Sequence, residues 1–136
     1  MDYGSPKEGE KMDKKVIYTE KAGKAVGPYS QAVEHNGTIY LSGVTAVDPE
    51  KGVPTGTVEE QAERILNTIA TILEAGGSSM DKVLKCTVFL NDVEDFAKVN
   101  AVYAKHFKEP FPARICVEVA RIPLGALVEI DAIAAK

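Results

Sequence analysis

The sequence predicts one α+β domain, a single mixed sheet of about six strands with two helices packed on one face. Three observations lead there. Asn36-Gly37 stands between two apolar-rich runs, which is a strong short-range signal for a β-hairpin. Two longer segments carry apolar residues at spacings of three and four, as helices do. Short β-prone runs lie before, between and after them, in the order β, hairpin, α, β, α, β, β. Two helices interleaved with such strands form a layer on one side of a sheet. The opposite sheet face would be bare in a monomer, and its strands carry too many apolar residues to leave in water, so an oligomer is expected.

Val16-Ile17-Tyr18-Thr19 reads as the first strand. Ala32–His35 and Thr38–Leu41 are the hairpin arms. Pairing His35 with Thr38 across the turn sets Gln31 opposite Ser42 and Ser30 opposite Gly43, and carries Tyr29 to the same open end. Asp48-Pro49-Glu50-Lys51-Gly52 is a turn. Thr57-Val58-Glu59-Glu60 is a capping box, and Ala62, Ile65, Leu66, Ile69, Ile72 and Leu73 form one stripe of the helix that follows. Gly76-Gly77 ends it.

Val83–Leu90 is apolar on both faces apart from Lys85 and Thr87, as a central strand would be. Asp92 caps a second helix over about 93–108, stopped by Pro110, with Phe96, Val99, Tyr103 and Phe107 as its stripe. Asn100 falls on that stripe, where an amide either holds a buried backbone group or faces a ligand. Two final strands are expected around 113–121 and 126–134. Residues 1–14 are polar and read as a flexible tail before a domain at 15–136, with Met12 a candidate start.

Composition narrows the function. A chain of 136 residues suits one domain, and a formal charge of −4 provides no field for nucleic acid. The two cysteines, Cys86 and Cys116, lack CxxC spacing and read as buried thiols in a reducing, cytoplasmic compartment. No HxH, HExxH or Cys/His cluster is present, so no metal is expected. No apolar run approaches the roughly 18 residues of a membrane span. Walker A and GxGxxG patterns are absent, and Ser30 lacks a nucleophile elbow.

The last third carries charged residues inside β-prone runs, which suggests a polar cleft binding something small and charged. Arg114 opens a strand beside Pro112, and its fork matches a carboxylate or pairs with Glu118 or Glu129. Glu129 is a positioned base or water holder, or a partner for Arg114 or Arg121. Cys116 shares a strand face with Arg114 but has no His or Lys nearby to make a thiolate, so it reads as a packed thiol.

Several segments together resemble the RidA (YjgF) family of imine deaminases. They are Gly27-Pro28-Tyr29-Ser30-Gln31-Ala32, Leu41-Ser42-Gly43, Val88-Phe89-Leu90, Val99-Asn100 followed by Tyr103, Pro112–Val119 and Val128-Glu129-Ile130. The resemblance runs from about residue 15 to the C-terminus. It implies a chorismate-mutase-like fold and a homotrimer with clefts between subunits. It also implies cofactor-free hydrolysis of 2-imino acids, the tautomers of enamines such as 2-aminoacrylate, to 2-keto acids and ammonia. The implied catalytic residues are Arg114, gripping the carboxylate, Glu129, positioning or activating water, and Tyr29. Ser42, Gly43, Asn100 and Cys116 are the implied substrate-binding residues, Cys116 through its main chain. The sequence departs from the family's usual pattern at Gly23-Lys24-Ala25, Val44 and Ala46, which flank the pocket entrance, and at Asp131, where Glu is common. The alternatives are a non-catalytic trimeric sensor of 2-keto acids and, against the net charge, a ribonuclease-type translation inhibitor.

Overall fold

The structure is a computed structural model that describes residues 13–136. Six strands form one sheet, β1 (Lys15–Ile17), β2 (Ala32–His35), β3 (Thr38–Leu41), β4 (Val83–Leu90), β5 (Ala113–Glu118) and β6 (Val128–Ala135), in the spatial order β1-β2-β3-β6-β4-β5. Only β4 and β5 run parallel. Two helices, α1 (Val58–Ala75) and α2 (Phe96–His106), cover one face. The expected α+β architecture is thus observed. Of the expected tail, residues 1–12, with Met12, lie outside the described residues; Asp13 and Lys14 precede β1.

The hairpin has the register that its Asn-Gly turn dictates, Ala32 opposite Leu41 through His35 opposite Thr38. Asn36 and Gly37 both take positive φ, 51° and 80°, as a turn matching the right-handed strand twist requires. The strand β4 is central as expected, between β6 and β5. Three boundaries differ from the sequence expectation. The first strand is Lys15–Ile17 rather than 16–19, because the Thr19 backbone bonds the Gln31 side chain instead of a neighbouring strand. The segment after Asp92 begins as a 3₁₀ turn, Val93–Asp95, and α2 proper starts at Phe96 and stops at His106. The last two strands are Ala113–Glu118 and Val128–Ala135, the segment between them being tied down in part by the Leu127 amide donating to Gln61 Oε1 at 3.0 Å.

The core lies between sheet and helices. Ile65, Leu66, Ile69 and Leu73 of α1 pack with Val99 and Tyr103 of α2 over Ile39, Cys86, Val88, Leu90, Val128 and Ile130. Gly76 ends α1 where a Cβ would stand 2.6 Å from Ile17 Cδ1 and 3.0 Å from Ile39 Cδ1, so the missing side chain is what lets β1 and β3 close on the helix end.

Strand alternation then assigns the other face. Its residues form rows across the sheet: Tyr40, Ile133, Lys85 and Ala113; Asp131, Thr87 and Ile115; Glu129, Phe89 and Val117. Neither helix covers them, and Tyr40, Ile115 and Val117 are 44%, 47% and 40% exposed.

The capping box at the start of α1 is complete. Thr57 Oγ1 accepts from the Glu60 amide at 3.2 Å, and Glu60 Oε1 accepts from the Thr57 amide at 3.1 Å. Thr57→Ala should therefore lower unfolding free energy by about 1 kcal/mol in urea titrations, with an unchanged m-value.

Candidate active site

The sequence-predicted residues fall into two clusters on opposite faces of the sheet. The first lies on the helix side of β5. Arg114 pairs in register with Cys86, a core residue, so its side chain turns toward α2. Its guanidinium sits 4.8 Å from the Tyr103 ring centroid and 5.6 Å from that of Phe96. Among the described residues no carboxylate lies within ion-pair distance of it; the partners weighed for it, Glu118 and Glu129, are both engaged elsewhere or out of reach. Glu118 Oε1 accepts from the Val93 amide at 2.9 Å. Glu129 faces the opposite side.

An unpaired, half-buried cation on aromatic faces keeps its full charge while its position is restricted. Asn100 stands one helical turn from both Phe96 and Tyr103, so it shares their face, and among the described residues its amide has no hydrogen-bond partner. Of the two readings for Asn100, the structural one lacks its backbone partner. Cys116 is two residues from Arg114 on the same face. Burial raises its thiol above the ordinary range, with Arg114 acting in the other direction, and burial pushes Cys86 up to about 11. Both are thiols near neutral pH, which excludes a resting thiolate nucleophile.

The second cluster surrounds Glu129. Val44 bridges to Ile130, which brings the Ser42-Gly43 segment beside β6. A Cβ on Gly43 would stand 2.6 Å from Glu129 Oε1, so the carboxylate lies against bare backbone. The hairpin's open end is knit as its register implied. The Ser42 amide donates to Gln31 O at 3.0 Å and Ser42 Oγ donates to Ser30 O at 2.7 Å. Buried Gln31 also holds the preceding loop, accepting from the Thr19 amide and donating to Thr19 O and Gly23 O. Tyr29 folds back on its own turn, where its hydroxyl accepts from the Val26 amide at 3.4 Å, and it is half exposed.

Burial raises the Glu129 carboxyl, and the negative charge of Asp131 adds to it. Asp131 is held in place, its Oδ1 accepting from the Thr87 amide at 2.7 Å. Sequence reasoning missed two contributions. Phe96 and Tyr103 were read as core stripe, yet their rings seat Arg114; Phe96 is 42% exposed while Val102 takes its place in the core. Asp131 stands out in the sequence only as a position where the family commonly has Glu. The signal for both was present in the spacing, since Phe96, Asn100 and Tyr103 share a helix face and Glu129 and Asp131 share a strand face. Among the described residues no group of three His, Cys, Asp or Glu is placed to hold a metal ion, and no helix is long and apolar enough to cross a membrane.

The sheet thus carries a guanidinium without an ion-pair partner among the described residues on one side and a carboxyl raised by burial on the other, groups suited to a small charged ligand. The chain belongs to the RidA/RutC family. Residues 19–136 match the family model described as Endoribonuclease L-PSP. The chain is 48% identical over 126 residues to a RutC family protein of Pyrococcus abyssi, covering 92% of this chain and 99% of that one. It is 48% identical over 125 residues to the 2-iminobutanoate/2-iminopropanoate deaminase of Capra hircus, covering 90% of each. Among solved structures, RidA from the Antarctic bacterium Psychrobacter sp. PAMC 21119 superposes with a TM-score of 0.85 at 43% identity, covering 90% of this chain and 99% of that one. The E. coli TdcF structure with bound serine has a TM-score of 0.83 at 39% identity, covering 90% and 98%.

The raised Glu129 carboxyl has a consequence for stability. Its folded value lies above its unfolded value, so its favourable contribution is complete below the unfolded range, about pH 4, and is lost as pH rises through the folded value. Glu129→Gln removes that loss. Its urea midpoint should exceed that of the unsubstituted protein near pH 7, and the difference should shrink as the pH is lowered toward about 4.

Proposed function

We propose that this protein hydrolyses small 2-imino acids, the tautomers of enamines such as 2-aminoacrylate, to 2-keto acids and ammonia. The observation that carries the reading is the Arg114 guanidinium, seated on Tyr103 and Phe96 and unpaired among the described residues. A planar fork without a protein partner suits a substrate carboxylate, which it can bind through two parallel hydrogen bonds. Asn100, on the same helix face, is available to the polar end of the same ligand.

Hydrolysis also needs a water directed at the imine carbon. Glu129 is the group for that role, a carboxylate of raised basicity packed on Gly43. Water adds to C2 while Glu129 takes its proton. That proton passes to nitrogen; as the C–N bond breaks and the keto oxygen forms, the C2 hydroxyl gives its own proton to Glu129, and the departing ammonia takes it from there to leave as ammonium. Tyr29, Ser42 and Gly43 shape the water side, and Cys116 contributes main-chain contact at the substrate's nitrogen end. An iminium is already electrophilic, so orientation and a base supply the terms the reaction requires.

One chain holds Arg114 and Glu129 on opposite faces of its sheet, so one substrate cannot touch both within a monomer. A homotrimer whose bare sheet faces meet would bring the Arg114 cluster of one chain to the Glu129 cluster of the next. The exposed Tyr40, Ile115 and Val117 support that assembly. The goat relative's name, 2-iminobutanoate/2-iminopropanoate deaminase, supports the substrate class. The family model's description as an endoribonuclease favours RNA cleavage instead, but a formal charge of −4 gives that reading little electrostatic basis.

The test is keto-acid release from 2-iminobutanoate and 2-iminopropanoate, generated by a threonine dehydratase, with semicarbazide trapping the free imine. The unsubstituted protein should accelerate release. Arg114→Ala should cut kcat/KM by about 100-fold or more, and Glu129→Gln should cut kcat by about 100-fold while keeping 2-keto acid binding. No acceleration by the folded protein would overturn the deaminase reading, and turnover by a stable monomer would overturn the trimer.

A further inference from the structure

We infer that Asp131 is a positioning residue whose fixed negative charge acts on Glu129. The inference rests on the proposed role of Glu129 as the water-activating group. It begins from placement. Glu129 and Asp131 are two residues apart on β6 and turn to the same sheet face, so the backbone positions that carry them are about 7 Å apart along the strand. The Asp131 side chain is not free to swing away, because its Oδ1 takes the Thr87 amide hydrogen at 2.7 Å. Glu129 in turn is confined against Gly43. Two carboxylates are thus held at fixed spacing on a half-buried surface.

Within one chain, the other groups that share this sheet face with Glu129 do not offset the charge of Asp131. From β4 come Thr87 and Phe89, with Lys85 in the row beyond Asp131. From the β3 side come Ser42, Gly43 and the Tyr40 phenol, and from β5 Ile115 and Val117. Lys85 is the only cation on these rows, it is exposed, and it makes no ion pair among the described residues. A fixed negative neighbour favours the protonated form of Glu129 and makes its carboxylate a stronger base once ionised. Asp131 touches no reacting atom in this scheme; it acts through Glu129.

Asp131→Asn retains an oxygen for the Thr87 amide and removes the charge, so it separates electrostatics from structure. The experiment is a carboxyl carbon NMR titration of full-length protein labelled at glutamate and aspartate side chains, with Glu129 assigned by Glu129→Gln. The Glu129 midpoint should fall by about one pH unit in Asp131→Asn and return in Asp131→Glu. The acid limb of kcat/KM for imine hydrolysis should move down in pH with it. In the unsubstituted protein, the Asp131 resonance should inflect at the Glu129 midpoint, a reading that needs no variant to fold. An unmoved midpoint, or an Asp131 resonance blind to Glu129, would overturn the inference. A shifted midpoint in a protein without imine hydrolysis would leave the inference standing and overturn the deaminase reading instead.

Discussion

Everything in this molecule depends on the alternation of β6. The strand is paired on both sides, to β3 and to β4, so its side chains have only two directions to take. Val128, Ile130, Ala132 and Ala134 go to the core beneath the helices. Glu129 and Asp131 go to the other side because nothing else is possible once the first set is buried. Hydrophobic burial by one half of the strand therefore orients the carboxylates of the other half, and the placement of the candidate site follows from the core.

The helix side obeys a different rule. There α2 lies over the edge of the sheet, and the residues it presents to Arg114 are rings rather than acids. A carboxylate in their place would hold the guanidinium equally well and neutralise it. Aromatic faces restrict the fork without consuming its hydrogen-bond donors, which keeps it available to a ligand. Tyr103 contributes more than a surface. Among the described residues its buried hydroxyl has no hydrogen-bond partner by geometry, and burial, with the neighbouring Cys86 thiol adding to it, raises it above the ordinary tyrosine range, so it remains neutral beneath the cation.

Much of the fold was legible in the sequence because its signals are local. The Asn36-Gly37 turn set the hairpin register, and the register in turn brought Ser30 to Ser42. The Thr57 capping box and the Gly76-Gly77 stop bounded α1. Where boundaries slipped, a non-local bond had intervened, as at Thr19 with Gln31 and Leu127 with Gln61. The candidate site was legible as a set of residues but not as a geometry. Periodicity said that Arg114 and Cys116 share a side, yet nothing local says which side of β5 faces α2 or that Glu129 turns the other way. That information resides in the parallel pairing of β5 with β4, a contact between segments separated by a whole helix.

The pairing of β6 on both sides also limits how the chain can change in length. A strand with one free edge can absorb an added residue by sliding one place. Here a slide of one place would turn Glu129 and Asp131 into the core beneath α1 and push Ile130 and Ala132 out. An insertion or deletion within β6 would break that register, whereas the segment before it is anchored separately, by the Leu127 amide on Gln61. The strand β6 itself is held to its eight residues in one register.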